Sequence, residues 1–160
     1  MIVAGISINA YTYASVTVAP FVEMQNGMQI NRNTDALGRM TASQDARGGM
    51  HSRGYDDAGR AAWESDPATN STWYAYDAFG RQSAVTNALG QVTWTAYDAE
   101  GHTLATWGAT YPVAYEYDAF GRMTAMRTFR DEQGSGDETH WYYDEATGLL
   151  TNKVYADGKG

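Results

Sequence analysis

Residues 74–82 read YAYDAFGRQ, and residues 115–123 read YEYDAFGRM. The phrase YDAFGR, Tyr76–Arg81, thus returns unchanged at Tyr117–Arg122. A catalytic phrase is needed once per site, so a phrase written twice points to internal repetition. Counting from the aspartate gives Asp35, Asp56, Asp77, Asp98, Asp118 and Asp144, with steps of 21, 21, 21, 20 and 26. A glycine follows three residues later at Gly38, Gly59, Gly80, Gly101 and Gly121, and four residues later at Gly148. A weaker set lies between them: DARG from Asp45, DPAT from Asp66, NALG from Asn87, and WGAT around Gly108. Turn signals therefore arrive every 10 or 11 residues. A four-residue turn and a strand of about six residues fill that step. Each period is a β-hairpin plus its connection to the next.

The turn chemistry follows from the residue types. In Asp-x-x-Gly the carboxylate accepts bonds from backbone N–H groups further along, as Asx turns do. The middle pair takes a type I turn, and Gly supplies the left-handed conformation, giving a four-residue hairpin connection. Two-residue turns, Asn26-Gly27 and Asp157-Gly158, bracket the array. Tyr immediately before Asp sits at a strand end and shares a face with the residue two before it, as Tyr74 does with Tyr76 and Tyr115 with Tyr117. Arg follows the Gly at Arg39, Arg60, Arg81 and Arg122, with Gln91 and His102 in that slot elsewhere. Stacked hairpins would align these residues as ladders, with Arg lying over Tyr faces for about 0.5–1 kcal/mol each.

Composition agrees with a globular β-protein. The 160 residues are 43% hydrophobic, with 17 Gly, 12 Tyr, 5 Trp and only 3 Pro. A net charge of −8 argues against a nucleic-acid partner, which requires a basic surface, and favours solubility. The absence of cysteine rules out disulfides and thiolate metal sites. The opening MIVAGISINAYTYASVTVAP has no basic n-region, since the first Lys or Arg is Arg32, and polar residues interrupt it too often for a membrane span. Alternation at Ile6, Ile8, Val16 and Val18 reads as strand. The expected organisation is an N-terminal β-rich segment over 1–25 and the repeat array over 26–160, with an acidic loop at 131–138 (DEQGSGDE).

The motif residues resemble the Tyr-Asp (YD) or RHS repeat family, whose signature is close to Y-x-Y-D-x-x-G-R. YAYDAFGRQ and YEYDAFGRM match it fully; GYDDAGRA and AYDAEGHT depart once each; NTDALGRM lacks the Tyr, and WYYDEATGLL carries a lengthened form. The repeat-motif residues are Tyr55, Asp56, Gly59 and Arg60; Tyr76, Asp77, Gly80 and Arg81; Tyr97, Asp98 and Gly101; Tyr117, Asp118, Gly121 and Arg122; and Tyr143, Asp144 and Gly148. The resemblance implies hairpins wound into a spiral that in long members closes into a hollow shell. Such shells occur in bacterial polymorphic toxins, insecticidal toxin complexes and the extracellular part of teneurins, where they enclose or display a cargo domain. Long members end the shell in an Asp-Pro-rich autocleaving segment. None matches here, and Asp66-Pro67 lies in a mid-array turn. About six repeats are too few to close a shell, and the array stops at VYADGKG, so a fragment of a longer protein is expected.

The expected fold is all-β: consecutive antiparallel hairpins in an elongated, spiralling sheet, part of a shell. The expected function is a non-catalytic structural segment of a larger secreted or cell-surface protein, partnered by the rest of that chain or its cargo. The alternative is a carbohydrate- or protein-binding module using the aromatic ladders. No catalytic, cofactor or metal residue is assigned. Calcium-binding β-rolls need nine-residue Gly-Gly-x-Gly-x-Asp repeats, which this period does not supply. His51, His102 and His140 lack helical i, i+4 partners for zinc, and no G-x-S-x-G nucleophile elbow or phosphate-cradling loop appears.

Overall fold

The computed structural model describes residues 21–25, 28–45, 47–130 and 136–158. The strand expected near Ile6–Val18, the Asn26-Gly27 turn and residues 131–135 of the acidic loop lie outside them. The chain forms two compact units, one reaching Arg53 and taking in Asp66–Ala68, the other holding Gly54–Ser65 and Thr69 onward. In the first, β1 (Phe21–Gln25), β2 (Met28–Thr34), β3 (Met40–Gln44) and the start of β4 (Met50–Tyr55) pair antiparallel in chain order. The second contains β5 (Ala61–Ser65), β6 (Ser71–Tyr76), β7 (Gln82–Thr86), β8 (Val92–Tyr97) and β9 (Thr103–Gly108). It continues with β10 (Val113–Tyr117), β11 (Met123–Thr128), β12 (Asp137–Tyr143) and β13 (Leu150–Val154), again with sheet order equal to chain order. All described elements are β, as the 10- and 11-residue spacing requires.

The regular turns share one backbone pattern. At Asp77–Arg81, Gly80 N–H donates to Asp77 O at 3.0 Å, and Asp77 N–H donates to Arg81 O at 2.8 Å. The same pair of bonds recurs at Asp35, Asp56, Asn87, Asp98 and Asp118. Gly80 has φ +83°, where a side chain would be strained. The second bond makes this a three-residue loop, a type I turn closed by a left-handed glycine bulge, one residue tighter than the four-residue connection expected. The bulge appears as a register shift beside the motif Tyr: Ala75 faces Ala84, yet Tyr76 faces Gln82.

Two expectations at the C-terminal end change. Gly158 N–H donates to Tyr155 O at 2.8 Å, so Asp157-Gly158 closes a four-residue turn from Tyr155 and is not the central pair of a two-residue one. Gly158 sits at φ +76°, in the position that Gly takes in the other turns. Asp137 and Glu138, assigned to the acidic loop, begin β12; Glu138 pairs across the ladder with Arg127 and accepts from its guanidinium at 2.8 Å.

Residues opposed across antiparallel strands share a face. In the second unit one face therefore carries Trp63, Trp73, Thr86 and Val92, together with Ala75, Ala84, Trp94 and Trp107. Trp63 and Trp73 pack with ring centroids 5.9 Å apart. The opposite face carries Tyr74, Val85 and Thr93. Tyr76, two residues after Tyr74, lies there too: both are half-buried, while Trp73 and Ala75 are exposed. Among the described residues only Ala84 (5%) and Ala125 (3%) are buried hydrophobics, so these residues enclose no deep core.

One turn breaks the glycine rule. In DPAT the fourth position is Thr69, held at φ +66°, where a β-branched residue is a true outlier. Replacing Thr69→Gly is expected to stabilise the chain by about 1–2 kcal/mol, read from the midpoint of chemical denaturation; an unchanged or lower midpoint would show that the hydroxyl offsets the strain.

Candidate functional site

The arrangement that recurs from hairpin to hairpin is a clasp made by two consecutive repeats. The first half is the turn. Asp77 Oδ1 accepts from the Phe79 and Arg81 N–H groups, both at 2.9 Å, and Asp77 Oδ2 accepts from Arg81 Nε at 2.7 Å. Asp118 repeats this with Phe120 and Arg122, and Asp35 with Leu37 and Arg39. Asp56 accepts from both the N–H and the guanidinium of Arg60. The carboxylate therefore orders the turn with one oxygen and aims the guanidinium with the other.

The second half comes from the next repeat. Arg60 lies 4.3 Å from the centroid of Tyr76, Arg81 4.7 Å from Tyr97, and Arg122 4.5 Å from Tyr143. Each tyrosine hydroxyl then donates to the carbonyl of the residue after that arginine. Tyr76 donates to Ala61 O, Tyr97 to Gln82 O and Tyr143 to Met123 O, each at 2.8 Å. Arg81 also donates to Asp98 O at 2.6 Å, tying its guanidinium to the backbone of the following turn. Phe79 and Phe120, at the exposed turn tips, lie 5.1 and 5.0 Å from the arginines of their own turns, which are thereby flanked by two rings.

His102 takes the arginine slot in one repeat. Its Nδ1 lies 2.7 Å from Asp98 Oδ2, and its ring stacks on Tyr117 at 4.7 Å and 24°. Tyr117 still donates to Thr103 O at 2.9 Å. A neutral version occurs at Asn87, whose Oδ1 accepts from the Leu89 and Gln91 N–H groups while its amide donates to Gln91 Oε1. In the lengthened form, Asp144 accepts from the Ala146 and Thr147 N–H groups and from the Thr147 hydroxyl, and Gly148 N–H donates to Asp144 O. Tyr55 and Gly59 lie at the end of β4 and in the following turn, where Gly59 N–H donates to Asp56 O.

The sequence reading reached the turn carboxylate and the Tyr–Arg stacking. It missed the hydroxyl-to-carbonyl bond, which depends on a ring reaching the neighbouring strand and leaves no mark in the spelling. No group of three or more His, Asp or Glu residues able to hold a metal ion occurs among the described residues.

The carboxylates of the clasp titrate below their ordinary value of 3.8. At Asp77 partial desolvation is the largest single influence and pushes the value up. The Arg81 N–H, the Arg81 guanidinium and the Phe79 N–H together outweigh it. Asp35, Asp56, Asp98 and Asp118 show the same balance, with the His102 ring and N–H acting on Asp98. At Asp45 the leading cause is the Gly49 N–H, and at Asp144 the Thr147 hydroxyl.

A folded-state value below the unfolded one adds stability that is complete above the unfolded value and disappears as pH falls through the folded one. Thermal denaturation should accordingly show a plateau above about pH 5 and a decline below about pH 4. Asp77→Asn, which keeps the turn bonds that Asn87 makes, should reduce that decline; an unchanged acid limb would remove Asp77 from the account. A double-mutant cycle on Arg81→Ala and Tyr97→Leu tests the clasp itself. The guanidinium lies 4.7 Å from the ring centroid that Leu removes, so a coupling energy of about 0.5–1 kcal/mol is expected, and strict additivity would contradict the contact.

Comparison with known proteins places this geometry. A model of the family described as RHS Repeat matches residues 55–93 and 97–133, the two stretches that hold the complete clasps from Arg60 to Tyr117. No curated protein sequence matches the chain. Among solved structures, the crystal structure of TcdB2-TccC3-Cdc42 is similar over 78% of this chain at 19% identity and a TM-score of 0.63. The Photorhabdus luminescens Tc holotoxin pore carrying TccC3-D651A is similar over 80% at 14% identity and a TM-score of 0.54. The chain spans 7% and 9% of those two chains, and at such identities the likeness concerns the fold. With the clasp repeated in register and the family model matched there, residues 55–93 and 97–133 are two adjacent RHS repeats.

Proposed function

We propose that the chain is a non-catalytic structural segment of an RHS-repeat shell that encloses or displays a toxin-like cargo within a larger secreted or cell-surface protein. The observation that carries this reading is the clasp, in which each repeat completes the bonding of the one before it. Tyr55, Asp56, Gly59 and Arg60, with their counterparts through Tyr143, Asp144 and Gly148, serve as structural motif residues. Residues 26–160 form the array and 1–25 a β-rich lead-in. The partner is the rest of a longer chain, or the cargo it holds. Support comes from the similarity to the Tc toxin structures, of which this chain corresponds to a small part. Among the described residues no helix is long and apolar enough to cross a membrane.

The test is electron microscopy of the chain together with whatever its gene encodes on either side. A hollow shell with these residues in its wall is the expected result, and a solid particle without a lumen would overturn the reading. Two assays address its competitors. Turnover abolished by one substitution would make the chain an enzyme. Retention on a glycan array, lost in Trp73→Ala, would make it a binding module acting through the exposed tryptophan face.

A further inference from the structure

Four junctions join successive hairpins in the second unit: β5–β6, β7–β8, β9–β10 and β11–β12. Their ladders differ in length. Three residue pairs close β5–β6, three close β7–β8 and four close β11–β12. Only two close β9–β10: Val113 opposite Thr106 and Ala114 opposite Ala105. The hairpins on either side, β8–β9 and β10–β11, have five pairs each.

The short ladder has a local cause at each end of the β9–β10 connection. Gly108, at φ +102°, turns the end of β9 toward β8, where Ala109 N–H donates to Val92 O at 2.7 Å. A Cβ at position 108 would stand 2.1 Å from that same oxygen, so the bend requires glycine. At the other end Pro112 has no N–H to offer β9. Its carbonyl accepts from Phe129 N–H at 2.9 Å, beside β11. The connection is thus bonded to the outer hairpins, one end to each, and little holds its ends to one another.

The side chains over this junction follow the same trend. Its clasp is the one built on His102, with an imidazole in place of a guanidinium. An imidazole offers fewer donors than the five N–H groups of arginine and cannot hold the carboxylate through a fork. Arg81, in the equivalent place one repeat earlier, reaches both Asp77 and the backbone of the next turn.

We propose that the β9–β10 junction is a seam built into the array, the line along which it opens while the two long hairpins beside it stay intact. The shortest ladder and the weakest clasp coincide there, and local opening takes place where bonds are fewest. Opening would bare two strand edges, along Thr103–Thr106 and Val113–Tyr117, which are templates for another strand.

Hydrogen–deuterium exchange on the whole 160-residue chain, read by NMR, tests this. The amides bonded across the seam, among Ala105, Thr106, Val113 and Ala114, should exchange at least about tenfold faster than those across β7–β8 and β11–β12. His102→Arg should slow the seam amides by about 2- to 5-fold and leave the other junctions unchanged. Equal or slower exchange at the seam in the wild-type chain would overturn the proposal, and this ranking decides the matter even where the variant does not fold. A uniform effect of His102→Arg on all junctions would overturn it as well.

Discussion

An aspartate carboxylate that accepts two backbone N–H bonds with one oxygen and a guanidinium with the other is the point from which the rest of this array is built. The first oxygen closes the turn and fixes hairpin register. The second holds an arginine where the next hairpin's tyrosine must pass. Remove the carboxylate and both the local turn and the long-range contact lose their anchor. Asn87 illustrates the division, because its amide keeps the turn while its partner is only the Gln91 side chain.

That division matters because the described residues have so little else to hold them together. Most domains of this size are two packed layers around an apolar core, whereas Ala84 and Ala125 are the only buried hydrophobics among the described residues. Cohesion among them therefore rests on contacts between neighbours: backbone ladders, the packing of Trp63 with Trp73, and, in the second unit, one clasp per junction. Repeat proteins in general distribute stability in this way, as intrinsic terms plus nearest-neighbour terms. Here the nearest-neighbour term has named atoms, a guanidinium under a phenol and a hydroxyl on a carbonyl.

Much of this was legible because turn chemistry is local. Asp, Gly and Arg at fixed offsets announce the turn, and their 21-residue recurrence announces the stacking. What escaped was whatever depends on how one strand lies beside another. The third loop residue became a bulge because Asp77 N–H bonds to Arg81 O, a choice the spelling of DAFG leaves open. The tyrosine hydroxyl finds a backbone carbonyl, which every residue possesses and which therefore carries no signature. Asp137 and Glu138 read as loop by composition, yet a cross-strand arginine draws Glu138 into β12. The spacing places a turn at DPAT, but nothing in the spelling tells that Thr69 holds a glycine's conformation there.

The clasp splits its complementary groups between successive periods, and that has a bearing on how such chains change length. A deletion from Tyr76 through Ala96 removes one whole period of 21 residues and brings Tyr97 into the place Tyr76 held beside Arg60. Arg60, His102 and Arg122 each still meet a tyrosine of the next repeat, and each of those tyrosines still meets a carbonyl. A duplication of the same stretch is equally neutral to the bonding. Genes that gain or lose complete periods thus leave no orphaned group behind, whereas a gain or loss of half a period puts an Asn87-type turn where an arginine is required. Recombination between identical phrases such as the two copies of YDAFGR produces the tolerated kind.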